Sequence, residues 1–182
     1  MKKGTMGLSH IKKELRKLDK DKIIEIISDL YKKYKPVKDY LDFFVNPNEK
    51  KLLLEYRDKI FYSFFPARGY NFKLKDAKKA IADFKKLSVS PDILADLMIF
   101  YVECGVDFSN DFGYDDGPFY TSLEKTFVEA LDLLQTEDLL EKFEERAYQI
   151  MINSDNSGYG FGDYISEAFY DFYPDSHIEE VN

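Results

Sequence analysis

Tryptophan is absent from the 182 residues, cysteine occurs once and histidine twice. The single cysteine, Cys104, has no partner for an internal disulfide and no second thiolate for a zinc cluster, which suits a reducing compartment. No basic residue adjoins it to lower its pKa, so it reads as a small buried hydrophobe rather than a reactive thiol. His10 and His177 lie at opposite ends of the chain. No Gly-x-Ser-x-Gly elbow and no Cys and His pairing stands out, which argues against nucleophilic hydrolysis. A phosphate loop is missing too, and Gly158, Gly160 and Gly162 follow a helical segment where a dinucleotide fingerprint would follow a strand.

Long hydrophobic runs are also missing. The most apolar stretch, Ile93 to Val106, is interrupted by Asp96 and Glu103 and falls short of the ~20 residues that span a bilayer, so it reads as a buried helix. Lys2 and Lys3 are followed by no apolar segment, and no secretory leader is expected. A cytoplasmic protein without a membrane partner is the expectation.

Aromatic rings are abundant: 16 Phe and 14 Tyr within a 45% hydrophobic composition. Large rings must therefore fill much of the interior, and buried Tyr hydroxyls will need hydrogen-bond partners. The length suits one domain, expected over 1–182 with frayed ends near 1–8 and 174–182.

Charge is divided unevenly. Residues 1–91 carry 23 Lys and Arg against 12 Asp and Glu, whereas residues 92–182 carry 3 against 22, giving the formal net charge of −8. Attraction between the halves within one fold is the simpler reading, because the cations are spread along amphipathic segments and form no dense basic run. A nucleic-acid-binding first half is the alternative, and an acidic second half that imitates nucleic acid is a related option.

Periodicity is helical almost throughout. Ser9 is a plausible cap for a helix carrying Ile11, Leu15 and Leu18, and Asp19 or Asp21 caps a second with Ile23, Ile24, Ile26, Ile27, Leu30, Tyr31 and Tyr34. The wide apolar face of that second helix predicts deep burial. Pro36 ends it and opens a short helix to Phe44, and Asn46 with Pro47 is expected to open another that runs to about Phe65 with Leu53, Tyr56, Ile60 and Phe64 inward. Pro66, Gly69 and Asn71 mark a break and a hinge candidate. Ala77, Ala80, Ile81, Phe84 and Leu87 define an amphipathic helix with a basic face. Ser90, Pro91 and Asp92 then open a helix bearing Leu94, Leu97, Met98, Tyr101 and Val102, expected to be central.

A polar loop is read from Phe108 to Gly117. Pro118 restarts a helix with Phe119, Leu123, Phe127, Ala130 and Leu134, and Thr136 is expected to cap one with Leu139, Leu140, Phe143, Ala147, Ile150 and Met151 inward. Asn153 to Gly162 breaks the chain before a last helix over Asp163 to Phe172. The expected class is all-α, an antiparallel multi-helix array that could resemble a helical-repeat stack, although no fixed period marks true repeats.

Two loops carry the candidate site residues. Asp107, Ser109 and Asp111 alternate as ligands do in a calcium loop, with Asp115 and Asp116 following, but Phe112 stands where such a loop needs Gly and Pro118 where it needs Glu. Asn153, Asp155 and Ser157 alternate in the second loop with Gly158 in sixth place. There Tyr164 takes the position of the bidentate Glu, and Asp163 would have to reach across. Asp107, Asp111, Asp115, Asp155 and Asp163 are thus candidate metal ligands for a metal-dependent enzyme, set against the simpler reading of acidic loops that cap helices. Glycines flank Tyr159 and Phe161, which either present two rings to a partner or close one end of the core.

The segment from Leu8 to Tyr31, Lys35 to Lys38, Phe44 to Pro47, Ala95 to Met98, the loop Gly113 to Tyr120 and the segment Gly158 to Asp163 resemble a family of small uncharacterised bacterial proteins catalogued as a domain of unknown function. The resemblance covers nearly the whole chain. It implies a cytoplasmic helical protein with no assigned activity and no assigned functional residues. The leading expectation is a protein-interaction module without catalysis or cofactor, whose partner is another protein.

Overall fold

The computed structural model describes residues 7–67 and 72–176. They form nine α-helices and, among the described residues, no strand, so the expected all-α multi-helix class is the one observed. Most of the ends expected to fray, together with His177, Gly69 and Asn71, lie outside the described residues. Chain contacts divide the protein into two compact units, Met1–Pro47 and Asn48–Asn182.

The first unit holds α1 (Leu8–Leu15), α2 (Lys20–Lys33) and α3 (Lys35–Val45). The cap of α1 is Gly7 rather than Ser9: its extended backbone lets its carbonyl accept from both His10 and Ile11, which leaves Ser9 inside the first turn. Asp19 caps α2, its carboxylate accepting from the Lys22 amide at 2.7 Å. Tyr34 is extended and separates α2 from α3, with Pro36 in the first turn of α3 where its missing N–H is harmless. α2 packs against α3, and the Tyr31 hydroxyl donates to Asp42 Oδ1 at 2.7 Å. Deep burial of α2 is not observed. None of α1, α2 and α3 has a buried residue.

The second unit holds α4 (Glu49–Phe64), α5 (Leu74–Lys85), α6 (Pro91–Phe112), α7 (Gly117–Thr136), α8 (Leu140–Ser154) and α9 (Phe161–Phe172). Every buried apolar residue among those described lies here. α4 opens from Asn48, whose side chain accepts from the Lys51 amide at 3.0 Å, whereas Asn46 closes α3 instead. α6 is the hub, packed against α4, α5, α7 and α8. It is longer than its sequence pattern suggests: the loop expected from Phe108 begins only at Gly113, where φ of +60° ends the helix. Phe108 is buried and Ser109 spends its hydroxyl on the Tyr114 carbonyl and the Tyr120 hydroxyl, so core packing carries the helix through the polar stretch.

Ser90 occupies the cap position of α6, but its amide and hydroxyl both donate to Glu49, each at 2.6 Å, tying α6 to the start of α4. Thr136 likewise ends α7 and does not cap α8, which begins after Asp138 in the left-handed region. α7 runs back along α6. At Gly105 a Cβ would stand 2.4 Å from Leu123 Cδ2, so α6 and α7 approach closely here and any larger residue requires the Leu123 side chain to shift. The buried Tyr hydroxyls find partners as chemistry requires, Tyr101 on Ser122 at 2.8 Å and Tyr120 on Ser109 at 2.7 Å. Cys104 is buried, and desolvation, followed by the charges of Asp107 and Glu103, pushes its thiol up to about 12.

Candidate interaction surfaces

The two acidic loops meet at one end of the second unit. Asp115, in the α6–α7 turn, lies against Gly158 in the α8–α9 turn, where a Cβ would stand 2.3 Å from the Asp115 carboxylate. The Asn110 side chain donates to the Asn153 carbonyl at 2.9 Å and fastens α6 to the end of α8. Asp107 and Asp111 sit on α6, not in a loop. On a helix, residues two apart point nearly opposite ways, so the alternating Asp107, Ser109 and Asp111 do not converge as calcium-loop ligands would. Asp116 caps α7 by accepting from the Phe119 amide at 3.0 Å, Asp155 closes α8, and Asp163 stands in the first turn of α9. Among the described residues, no group of three or more His, Cys, Asp and Glu side chains is arranged to hold a metal ion. The carboxyl of Asp107 is nonetheless raised above the usual range, first by desolvation and then by the charges of Asp111 and Glu103 one turn away on either side.

The two rings flanked by glycines have opposite fates. Phe161 is fully buried and stacks on Tyr120 with centroids 4.6 Å apart. Tyr159 is 70% exposed, with its backbone in the left-handed region at φ +55° and its ring against Gly117. One ring therefore closes the core and the other stands in solvent.

A charge network that the motif reading missed joins α4, α6 and α8. Arg146 of α8 forks onto Glu103 and reaches Asp96 Oδ2 at 3.2 Å, and Arg57 of α4 lies 3.7 Å from Asp96 Oδ1 and 4.2 Å from the Phe100 ring centroid. Asp96 Oδ1 is buried without a hydrogen-bond partner. The available signal was that Arg146 is one of only three cations in residues 92–182. Arg57 with Asp96 and Lys85 with Glu129 also pair cations of the basic half with acids of the acidic half inside this unit.

The first unit offers a different surface. Leu8, Ile11 and Leu18, Ile24, Ile27 and Leu30, and Tyr40, Phe44 and Val45 are all exposed, Phe44 at 72% and Val45 at 80%. Four of the unit's lysines, Lys17, Lys22, Lys33 and Lys38, are held by acids three or four residues away in the chain. Lys12, Lys13, Arg16, Lys20, Lys32 and Lys35 form no ion pair among the described residues.

No helix among the described residues is long and apolar enough to cross a membrane. A family model described as "Family of unknown function (DUF6155)" matches residues 6–158, and the chain belongs to that family. No curated protein and no solved structure matches it.

Proposed function

We propose that this member of the family works by binding another protein, with the helices of the Met1–Pro47 unit as its contact surface. One observation carries the reading: α1, α2 and α3 are amphipathic and bury none of their residues. Exposed apolar surface on this scale marks an interaction site more often than it occurs without one. The second unit supplies a packed scaffold. A cytoplasmic setting belongs to the same reading, supported by a lone buried Cys104.

The test is affinity capture of the tagged full chain from extract of its native cells, beside the Ile24→Asp/Ile27→Asp variant, whose altered side chains are exposed. Protein retained by the native chain and lost by the variant is the expected result. A capture without protein, or one the variant leaves unchanged, overturns the reading.

A second reading, nucleic-acid binding, has one specific support in Lys12, Lys13 and Arg16, three cations of α1 and its end without ion pairs among the described residues. It requires retained nucleic acid that is released steeply with salt, as counterion release demands. Flat salt dependence removes it.

A further inference from the structure

We propose that the Asn48–Asn182 unit carries a contact surface of its own, an aromatic and acidic patch on α4 and α6 that receives an arginine-bearing apolar segment of a partner protein. The proposal goes beyond the reading above and does not depend on it. α4 and α6 pack side by side and run parallel, joined by Glu49 and Ser90 at their starts and by Phe65 against Phe108 at their far ends. Asp96, Phe100, Glu103, Asp107 and Asp111 follow one another at intervals of four, three, four and four, so they form one row of α6. The two halves of that row differ. Arg57 and Arg146 neutralise Asp96 and Glu103, and the Arg57 guanidinium also covers the Phe100 ring, 4.2 Å from its centroid. Asp107 and Asp111 form no ion pair among the described residues.

One and two turns beyond Arg57, α4 and its end present the rings of Phe61 and Phe65 where a cation would continue the pairing. Phe61 meets Phe65 with centroids 5.1 Å apart and Phe65 meets Phe112 at 6.2 Å, so three rings from two helices form one patch. Phe61 is 43% exposed and Phe112 58%. Asp111 adjoins Phe112 in the chain, and Asp107 precedes Phe108, whose ring touches both Phe65 and Phe112. The cations of α4 nearest the patch are engaged elsewhere, Arg57 with Asp96 and Lys59 over the Tyr56 ring. Asp107 is partly desolvated, and the charges that act on it are those of Asp111 and Glu103. The charge beside the rings is therefore negative and unneutralised. An apolar segment laid over the rings would desolvate both carboxylates further, which is unfavourable unless it brings cations. Arg57 shows inside this molecule what such a patch accepts, a planar cation stacked on a Phe ring and paired with a carboxylate one turn away. Arginine suits the site better than lysine, because its plane stacks and its fork reaches carboxylate oxygens.

The experiment uses the full chain and two labelled synthetic peptides that share their Leu and Phe residues and differ only in carrying arginine or its uncharged analogue citrulline, with binding read by fluorescence anisotropy. The arginine peptide is expected to bind at least about tenfold more tightly. Asp107→Asn/Asp111→Asn, with folding checked by circular dichroism, is expected to abolish that preference, and Phe61→Ser to weaken both peptides. Glu137→Gln/Glu141→Gln removes the same charge near the start of α6, where Lys142 meets Asp92, and is expected to keep the preference. Ile24→Asp/Ile27→Asp is expected to keep it as well, which separates this surface from that of the first unit. Equal binding of the two peptides, or binding of neither, overturns the inference. So does a preference that both acid-removing double variants weaken alike, which would be attraction to bulk charge, and so does binding that Phe61→Ser leaves unchanged. Self-association in sedimentation that the arginine peptide reverses overturns it in favour of a second copy. Binding that appears only in Arg68→Gln overturns it in favour of the chain's own arginine, three residues after Phe65.

Discussion

The guanidinium of Arg146 forks onto the carboxylate of Glu103, Nε to Oε1 at 2.7 Å and Nη2 to Oε2 at 2.8 Å, and so joins α8 to α6. Both side chains are about three-quarters buried, at 28% and 27% exposure, and Asp96 completes the charge balance on the other side of the arginine. Arg146→Met leaves the partly desolvated Glu103 without its cation and Asp96 with only Arg57, 3.7 Å away. The expected loss is about 1–3 kcal/mol, seen as a lower urea midpoint with an unchanged slope. Glu103→Gln in the same background is expected to recover part of it. A midpoint unmoved by Arg146→Met would show the fork to be energetically idle.

Two glycines make a graded pair. A Cβ at Gly162 would stand 2.6 Å from the Ser154 carbonyl oxygen, which belongs to the backbone, whereas a Cβ at Gly105 would meet the tip of the Leu123 side chain. Backbone yields less readily than a side-chain tip, so Gly162→Ala is expected to cost more stability than Gly105→Ala, about 1–3 kcal/mol by thermal melting. The reverse order would contradict the packing of α9 on α8.

Tyr159 is held at φ +55° with most of its ring in solvent. Tyr159→Asn relieves a backbone strain of about 1 kcal/mol and sacrifices little burial. Stability equal to or above that of the native chain is the expected outcome in a melting experiment. A drop of more than about 1 kcal/mol would instead make the ring a structural element.

Asp107 has its carboxyl raised above the ordinary 3.8 by desolvation and by Asp111 and Glu103. The folded state therefore binds its proton more tightly than the unfolded state does. Its contribution to stability falls as pH rises from the ordinary value through the raised one, and then levels off. Asp107→Asn is expected to flatten that part of the profile and to raise stability at neutral pH, measured by urea unfolding from about pH 4 to 7. An unchanged profile would remove the strain assigned to this carboxylate.

Because every buried apolar residue among those described lies in Asn48–Asn182, a chain of residues 48–182 is expected to unfold as cooperatively as the full protein. A broadened, low-midpoint transition for that chain would show that 1–47 contribute to the same core.

Helix identity was legible because it depends on local spacing. Ala77, Ala80, Ile81, Phe84 and Leu87 are apolar at helical spacing and all are buried, as are Phe143, Ala147, Ile150 and Met151, whereas Leu139 and Leu140, expected on the same inward side, are half-buried at the start of α8. The Asp19 cap and the proline starts of α3, α6 and α7 follow from backbone rules that act within one turn. Misreadings arose where tertiary packing outweighed a local signal. Ser90 has the composition of a cap and gives its hydroxyl to Glu49, and the polar stretch after Phe108 stays helical because Phe108 and Ser109 are in the core.

The sequence by itself determined the all-α class, the inward faces of the second unit and the uneven charge, since composition and period suffice for these. Only the tertiary structure decided that Asp115 meets Gly158, that Phe161 is buried while Tyr159 is exposed, and that Arg57, Asp96, Glu103 and Arg146 form one network. Those relationships join residues up to 89 positions apart, between Arg57 and Arg146, and are set by how helices pack, which no local period encodes.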